Sequence, residues 1–264
     1  MDATKVIVIT GASAGIGAAL AKQLGKKGHH VVGAARNAEA LRTTMREAAD
    51  DAHAVVADVT RRADVERIRD EAVRTFGHVD VWVNNAGRGI ARSVLDLLDA
   101  DVDEIISVNL KSALYGMQAI VPHFQERGAG HLVNVSSMLG RVPMAPFRSV
   151  YSASKAALNI LTSNLRMDLR GTHPGIHVSL VMPGPVSTDF AKNALGGTPF
   201  LPAGIAMQTG EEVAAAIAGV IEKPVAELYT SPALAATARK YYEDVGAFEA
   251  GMPVMPAVRA RSSS

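Results

Sequence analysis

The hydrophobic positions of this chain fall into short unbroken runs, separated by longer stretches in which apolar residues recur every three or four positions. Seven runs read as strands: KVIVIT (residues 5–10), HVVGAA (30–35), HAVVAD (53–58), VDVWVNN (79–85), HLVNVSS (131–137), HVSLVMP (177–183) and AELYT (226–230). Their apolar character is continuous, as in strands covered on both faces. Between them the spacing predicts helices over Gly15–Lys27, Ala38–Ala49, Arg61–Phe76, Asp99–Gln125, Tyr151–Arg170 and Glu211–Glu222. A further helix is predicted over Ala233–Phe248, with Leu234, Tyr241, Val245 and Phe248 near one face. Repeated strand-then-helix order predicts a parallel, doubly wound α/β sheet, and right-handed crossovers place helices on both of its faces. The segment Asp189–Gly210, rich in Gly, Pro and Ala, is expected to be a lid or a loosely ordered connection. No linker divides the chain. One domain is expected over residues 1–264, with its core at about 4–230 and a C-terminal extension at 231–264 whose RARSSS end is expected to fray.

Length and composition agree with that picture. A chain of 264 residues suits one α/β domain, and 48% hydrophobic residues supply a sizeable core. Basic and acidic residues nearly balance, 27 to 26, and no Lys/Arg cluster stands out, which argues against a nucleic-acid surface. The absence of cysteine excludes disulfides, thiolate metal sites and cysteine catalysis; no metal site is expected. There is no apolar run long enough to span a membrane. The opening MDATKVIVITGAS lacks the basic region and long apolar core of a secretory signal, so a cytoplasmic protein is expected.

Three motifs carry candidate chemistry. VITGASAGIG follows the first strand and opens the first helix, with Gly11, Gly15 and Gly17 spaced G-x-x-x-G-x-G rather than G-x-G-x-x-G. Glycine permits positive φ and close backbone approach, and a helix N-terminus offers unpaired N–H groups and a positive dipole end to a pyrophosphate. A plain glycine-rich turn fits the same letters. YSASK places Tyr151 and Lys155 four apart, on one helix face. A nearby ammonium pulls a phenol down from its usual value of about 10, toward general acid/base use near neutrality; such pairs also arise by chance on solvated helices. VNVSSMLG ends the fifth strand, and a hydroxyl at Ser137 can hold a substrate carbonyl oxygen beside the tyrosine. Open α/β sheets bind ligands beyond the carboxyl ends of their strands. There the first strand delivers the glycine turn, the fourth delivers NNAG (84–87) and the fifth delivers Ser136–Ser137.

With these motifs in order, the chain resembles the short-chain dehydrogenase/reductase family in its single-domain form. The resemblance covers about residues 4–230 and rests on TGASAGIG (10–17), Asp58-Val59, NNAG (84–87), Asn109 in SVNL, VSS (135–137), YSASK (151–155) and PGPVST (183–188). It implies a Rossmann-type, seven-stranded parallel sheet and oxidoreductase activity. In this family the tyrosine gives or takes the proton, which assigns that role to Tyr151. Lys155 would lower the tyrosine's pKa and hydrogen-bond the nicotinamide ribose. Ser137 would orient the substrate oxygen, with Ser136 turned to the other side of the strand. Asn109 would hold a water linking Lys155 to solvent. The resemblance assigns cofactor contacts to Gly11, Ser13, Ala14, Gly15, Ile16 and Gly17 in the turn. Asp58 would face the adenine amine and Val59 the ring, with Asn85, Ala86 and Gly87 on the ribose side. Pro183, Gly184, Val186 and Thr188 would lie at the carboxamide.

An acid about 20 residues beyond the glycine loop normally binds the ribose 2′-hydroxyl of NAD. No acid occurs between Val31 and Ala38, and Arg36 follows Ala35. Arginine can meet a 2′-phosphate bidentately, and a basic residue here resembles the NADP-preferring pattern. Ala14 stands where a second basic residue is sometimes found, so NADP(H) is expected as the preferred cofactor with NAD(H) possible. Residues expected on the substrate side are apolar: Ile90, Met138, Leu139, Val142, Met144, Phe147 and Phe190, joined by Leu195, Phe200, Leu201 and Met207. Arg88, Arg92 and Arg141 leave room for an anionic group. The expected reaction interconverts a hydrophobic ketone or aldehyde and an alcohol; the alternative is a non-catalytic NADP(H)-binding sensor or scaffold. The long helices Asp99–Gln125 and Tyr151–Arg170 pair across a dimer in relatives, so a homodimer or homotetramer is expected.

Overall fold

The protein's structure, a computed structural model, describes residues 3–197 and 206–253. The strands are β1 (Val6–Thr10), β2 (His30–Ala35), β3 (His53–Val56), β4 (Val81–Asn84), β5 (Gly130–Val135), β6 (Ile176–Met182), β7 (Val186–Ser187), β8 (Gln208–Thr209) and β9 (Glu227–Tyr229). Seven form one parallel sheet in the order β3-β2-β1-β4-β5-β6-β9, while β7 and β8 pair separately. The order reverses between β1 and β4, which opens a crevice at the carboxyl ends of those strands.

The helices are α1 (Gly15–Lys26), α2 (Ala38–Ala48), α3 (Arg62–Phe76), α4 (Asp99–Ile106), α5 (Ser112–Arg127), α6 (Ser149–Arg170), α7 (Gly210–Glu222), α8 (Pro232–Glu243) and α9 (Val245–Ala250). Alternation along the strands builds two cores. Ile7, Ile9 and Val31 face Leu20, Leu24, Met45 and Ile217 of α1, α2 and α7. Val8, Trp82 and Leu132 face Ile68, Met117, Phe124 and Leu158 of α3, α5 and α6. Glycines set the closest approaches. A Cβ on Gly25 of α1 would lie 2.4 Å from the Ala48 carbonyl oxygen of α2, so the helices cross in contact there.

A ladder of buried amides runs under the second layer. Trp82 Nε1 donates to Asn84 Oδ1 (2.7 Å), and Asn84 Nδ2 donates to Asn134 Oδ1 (2.9 Å) and to the Ala113 carbonyl (3.2 Å). Asn134 Nδ2 then donates to Thr162 Oγ1 (3.0 Å). Each buried polar group is answered, so the ladder ties β4, β5, α5 and α6 together without stranding a donor.

Two expected helices are broken. The helix expected over Asp99–Gln125 is α4 and α5 joined by a π-helical stretch, Ser107–Lys111, and it runs on to Arg127, where Gly128 at φ +71° ends it. The inserted residue leaves the apolar spacing nearly intact, which is why periodicity reads straight through it. The helix expected over Ala233–Phe248 is α8 and α9, divided at Asp244, whose carboxylate accepts from the Ala247 N–H and caps α9. Leu234, Tyr241 and Phe248 pack together against Met138 and Val142, but Val245 is 40% exposed, so it leaves the expected face. Among the described residues no helix is long and apolar enough to cross a membrane, and no group of three or more His, Cys, Asp or Glu could hold a metal ion.

At the opposite end of the sheet His131 is buried. Its Nε2 lies 2.8 Å from Ser179 Oγ, and its Nδ1 has no partner among the described residues. Burial, followed by charge on His177 and Lys5, holds its pKa down to about 3 from 6.5. The folded protein therefore refuses a proton that the unfolded chain takes up below its own value, so stability is lost as pH falls through that window. Denaturant titrations between pH 6.5 and about 4 are expected to lose stability more steeply in the wild type than in His131→Leu, by about 1 kcal/mol per pH unit. Equal slopes would exclude His131 as the source.

Candidate active site

The glycine turn is shaped by contacts that tolerate nothing larger. Gly11 and Gly15 adopt φ of +70° and +54°. A Cβ on Gly17 would lie 2.3 Å from the Gly11 carbonyl oxygen. The Ala34 carbonyl of β2 accepts from the Gly11 and Ala12 N–H groups, fixing the turn to the sheet. Ala14, exposed at the N-cap of α1, offers no side-chain cap, and the first turn carries no acid. The leading N–H groups of α1, with Ser13 and Ile16 beside them, are thus left without a side-chain partner at the dipole's positive end.

Thr10 braces this turn against β4. Its Oγ1 donates to the Val83 carbonyl and accepts from the Asn85 and Ala86 N–H groups. Asn85 Nδ2 donates back to the carbonyls of Thr10 (3.0 Å) and Gly11 (3.3 Å). A Cβ on Gly87 would meet Asn109 Oδ1 at 3.4 Å and Lys155 Nζ at 3.8 Å. Asn109, carried by the π-helical stretch, accepts from the Arg88 N–H at 2.7 Å and donates to the Arg88 carbonyl at 2.9 Å and to Ser154 Oγ at 3.2 Å.

At the end of β5 the two serines part. Ser136 Oγ bonds Asn159 Oδ1 at 2.6 Å and the Lys155 carbonyl, buried behind α6. Ser137 Oγ accepts from the Leu139 N–H and reaches the Tyr151 phenol. Burial pushes the Tyr151 phenol up, while the Ser137 hydrogen bond and the positive charge of Arg148 oppose that rise. Lys155 donates to the Val135 carbonyl at 2.9 Å, and its Nζ lies 5.9 Å from the Tyr151 ring centroid. Burial lowers the Lys155 pKa to about 8, so its charge is set close to neutrality.

The remaining predicted residues spread around this centre. Asp58 Oδ1 accepts from the N–H and hydroxyl of Thr60, and Val59 packs partly against the second core. Met138 N–H donates to the Pro183 carbonyl, and a Cβ on Gly184 would touch Leu234 of α8. Val186 packs against the first core, and the Thr188 side chain lies 3.4 Å from where a Gly15 Cβ would be. Arg36 is exposed just after β2 and makes no hydrogen bond or ion pair among the described residues, while its neighbour Asn37 caps α2.

Of the residues expected on the substrate side, Ile90, Leu139, Phe190 and Leu195 form one apolar cluster with Tyr151, and the Phe190 ring meets Tyr151 edge-on at 5.7 Å. Met138, Val142 and Met144 pack with the C-terminal helices instead. Phe147 is buried and Met207 exposed, while Phe200 and Leu201 lie outside the described residues. The three arginines that left room for an anionic group are each answered by a carboxylate: Arg88 by Glu104, Arg92 by Asp101 at 2.8 Å, and Arg141 by Glu227 at 2.6 Å. Sequence reasoning included Thr10 in the glycine motif without giving it a role, and passed over Arg148. A small hydroxyl at a strand end and an arginine before a helix carry no spacing signal that marks them.

This geometry can be set beside known proteins. The family model described as short chain dehydrogenase matches residues 5–197. The uncharacterized oxidoreductase YxnA of Bacillus subtilis (strain 168) is 37% identical over 231 residues, which make up 85% of this chain and 65% of that protein; the match thus spans somewhat less than two thirds of the relative's length. A short-chain dehydrogenase/reductase of Burkholderia phymatum, solved in complex with NAD, superposes with a TM-score of 0.84 at 28% identity, covering 96% of this chain and 97% of its own. An alcohol dehydrogenase of the archaeon Thermococcus sibiricus, complexed with 5-hydroxy-NADP, gives a TM-score of 0.74 at 27% identity, covering 86% of this chain and 96% of its own. Motif order, sheet topology and these likenesses converge, and the chain belongs to the short-chain dehydrogenase/reductase family.

Proposed function

We propose that the protein is an NADP(H)-preferring oxidoreductase that interconverts a hydrophobic ketone or aldehyde and the corresponding alcohol, with Tyr151 as the general acid/base. The observation that carries this reading is the gathering of Tyr151, Ser137 and the buried Lys155 at the carboxyl end of β5, with the Lys155 ammonium at the Val135 carbonyl, 5.9 Å from the Tyr151 ring centroid, and close to Gly87. The turn fits a dinucleotide. Its N–H groups lack side-chain caps, and a Cβ at Gly17 would fill the close approach of turn and helix.

When bound, the nicotinamide cofactor supplies or accepts the hydride. The chain's own residues position the substrate and move the proton. The Ser137 hydroxyl holds the substrate oxygen beside Tyr151. Tyr151 Oη gives its proton to that oxygen as negative charge develops there, and takes it back in the oxidation direction. Lys155, held at the Val135 carbonyl, keeps a positive charge near the ring. Phe190 and Ile90 keep water from the reacting face. Carboxylate-paired Arg88, Arg92 and Arg141 favour a neutral, apolar substrate.

The NADP preference rests on Arg36, exposed and without a partner among the described residues where an acid would repel a 2′-phosphate. The related structures hold NAD in one case and a modified NADP in the other, so the fold itself accommodates both. The assembly is proposed as a homodimer or homotetramer. Ile160 and Met167 stand 59% and 60% exposed on α6, one of the two long helices expected to pair.

Tyr151→Phe is expected to lower kcat by at least about 100-fold while leaving the Kd for NADPH within about threefold. Near-normal turnover would remove Tyr151 from the proton transfer. Ala35→Asp combined with Arg36→Ala is expected to move the NADP/NAD ratio of kcat/KM toward NAD by about tenfold or more; an unchanged ratio would sink the 2′-phosphate assignment. Light scattering is expected to give a dimer or tetramer mass at micromolar concentration, and a monomer would contradict the assembly.

A further inference from the structure

We propose that Arg148 is a positioning residue for the reaction proposed above: its buried guanidinium ties the Ile90 backbone and the Phe190 ring to the tyrosine and places a positive charge without a carboxylate partner in the interior, three residues before Tyr151. The inference rests on Tyr151 being the proton-transfer group.

Arg148 differs from the other arginines near the site. It is only 7% exposed, and among the described residues no carboxylate stands within ion-pairing distance of it. Its hydrogen-bond partner is a backbone oxygen, with Nη1 donating to the Ile90 carbonyl at 3.1 Å. Its guanidinium lies 5.8 Å from the Phe147 ring centroid and 5.9 Å from that of Phe190. Aromatic faces offset part of the cost of burying a cation but do not neutralise it. A full positive charge has therefore been placed in the interior, three residues before Tyr151, without a resident negative partner.

The same side chain holds the wall in place. The Phe190 ring that Arg148 contacts is the one that meets Tyr151 edge-on. A Cβ on Gly89 would lie 2.5 Å from Arg148 Nη1 and 2.9 Å from the Phe190 ring, so the segment after β4 is pressed against both. The backbone closes the clamp: the Arg92 N–H donates to the Phe147 carbonyl at 2.8 Å, and Ser149 Oγ donates to the Arg92 carbonyl at 2.8 Å.

The charges around Tyr151 leave little else to act on it. From the segment after β4, Arg88 and Arg92 are cancelled by Glu104 and Asp101 of α4. After β6, Asp189 and Lys192 cancel each other at the surface. That leaves Lys155, whose ammonium is engaged at Val135, and Arg148. Burial raises the phenol's pKa, and Arg148 and the Ser137 hydrogen bond are what oppose it. The arginine, by the same interaction, gains when the phenolate forms.

The test reads Tyr151 directly. Protein labelled with 13Cζ-tyrosine is titrated by NMR, with the Tyr151 resonance identified by its loss in Tyr151→Phe. In Arg148→Gln the Tyr151 midpoint is expected to rise by about 0.5–1 pH unit, and in Arg148→Lys to stay within about 0.3 unit of the wild type. Phe190→Leu, which loosens the wall but keeps the guanidinium, is expected to leave the midpoint in place. If Arg148→Gln does not fold by circular dichroism, Arg148→Met reads the same shift without a stranded polar group. An unmoved midpoint in the neutral variant, or an equal rise in Arg148→Lys, would overturn the proposal. The NMR readout needs no substrate. Turnover surviving in Tyr151→Phe would defeat the proton-transfer reading alone, whereas an unmoved midpoint defeats the role of Arg148 alone.

Discussion

The hydrogen bond from Lys155 to the Val135 carbonyl places an ammonium inside the protein, where a charge is costly to keep. Much of the local structure exists to make that placement possible. α6 must lie against the end of β5, and Gly140 allows it, since a Cβ there would stand 2.8 Å from the Lys155 backbone. Ser136 fastens the same contact from behind through the Lys155 carbonyl and Asn159. Once the lysine is seated, the helix geometry carries Tyr151 one turn earlier to the hydroxyl of Ser137. The proton-bearing group is thus positioned by a contact it does not itself make.

The polar groups around this centre divide into those that hold and those that are left free. Asn109 is locked to both backbone groups of Arg88, and Asn85 to the glycine turn. Both amides are therefore bound up in holding backbone segments together. The N–H groups at the start of α1 and the guanidinium of Arg36 are left without such partners. A site that binds a large anionic ligand benefits from this division, because rigid joints keep the free donors aimed without consuming them.

Much of this was legible in the letters, for physical reasons. A strand covered on both faces must be apolar throughout, so the seven runs announced themselves and the sheet followed. The glycine turn and YSASK were readable because few residues can take those places. The broken helices were not: a π-turn at Ser107–Lys111 disturbs hydrogen bonding but hardly the apolar spacing, and Asp244 reads as one more polar surface position until its carboxylate is seen capping Ala247. The ion pairs were hidden too. Arg141 finds Glu227 across 86 positions of chain, and nothing local ties the two. Together with Arg88–Glu104 and Arg92–Asp101, that pairing closes all three arginines expected to receive an anion.

The union of Met138 and Val142 with Tyr229, Leu234, Tyr241 and Phe248 bears on how the molecule is made. A ribosome delivers the glycine turn, β4 and β5 well before α8 and α9, and domains begin to organise as chain emerges. The half that carries the glycine turn can therefore settle while the segment just after Ser137 still lacks its covering helices. The cover over this part of the molecule is a late product of synthesis, and the apolar side chains of Met138 and Val142 stay open to other encounters until α8 and α9 arrive.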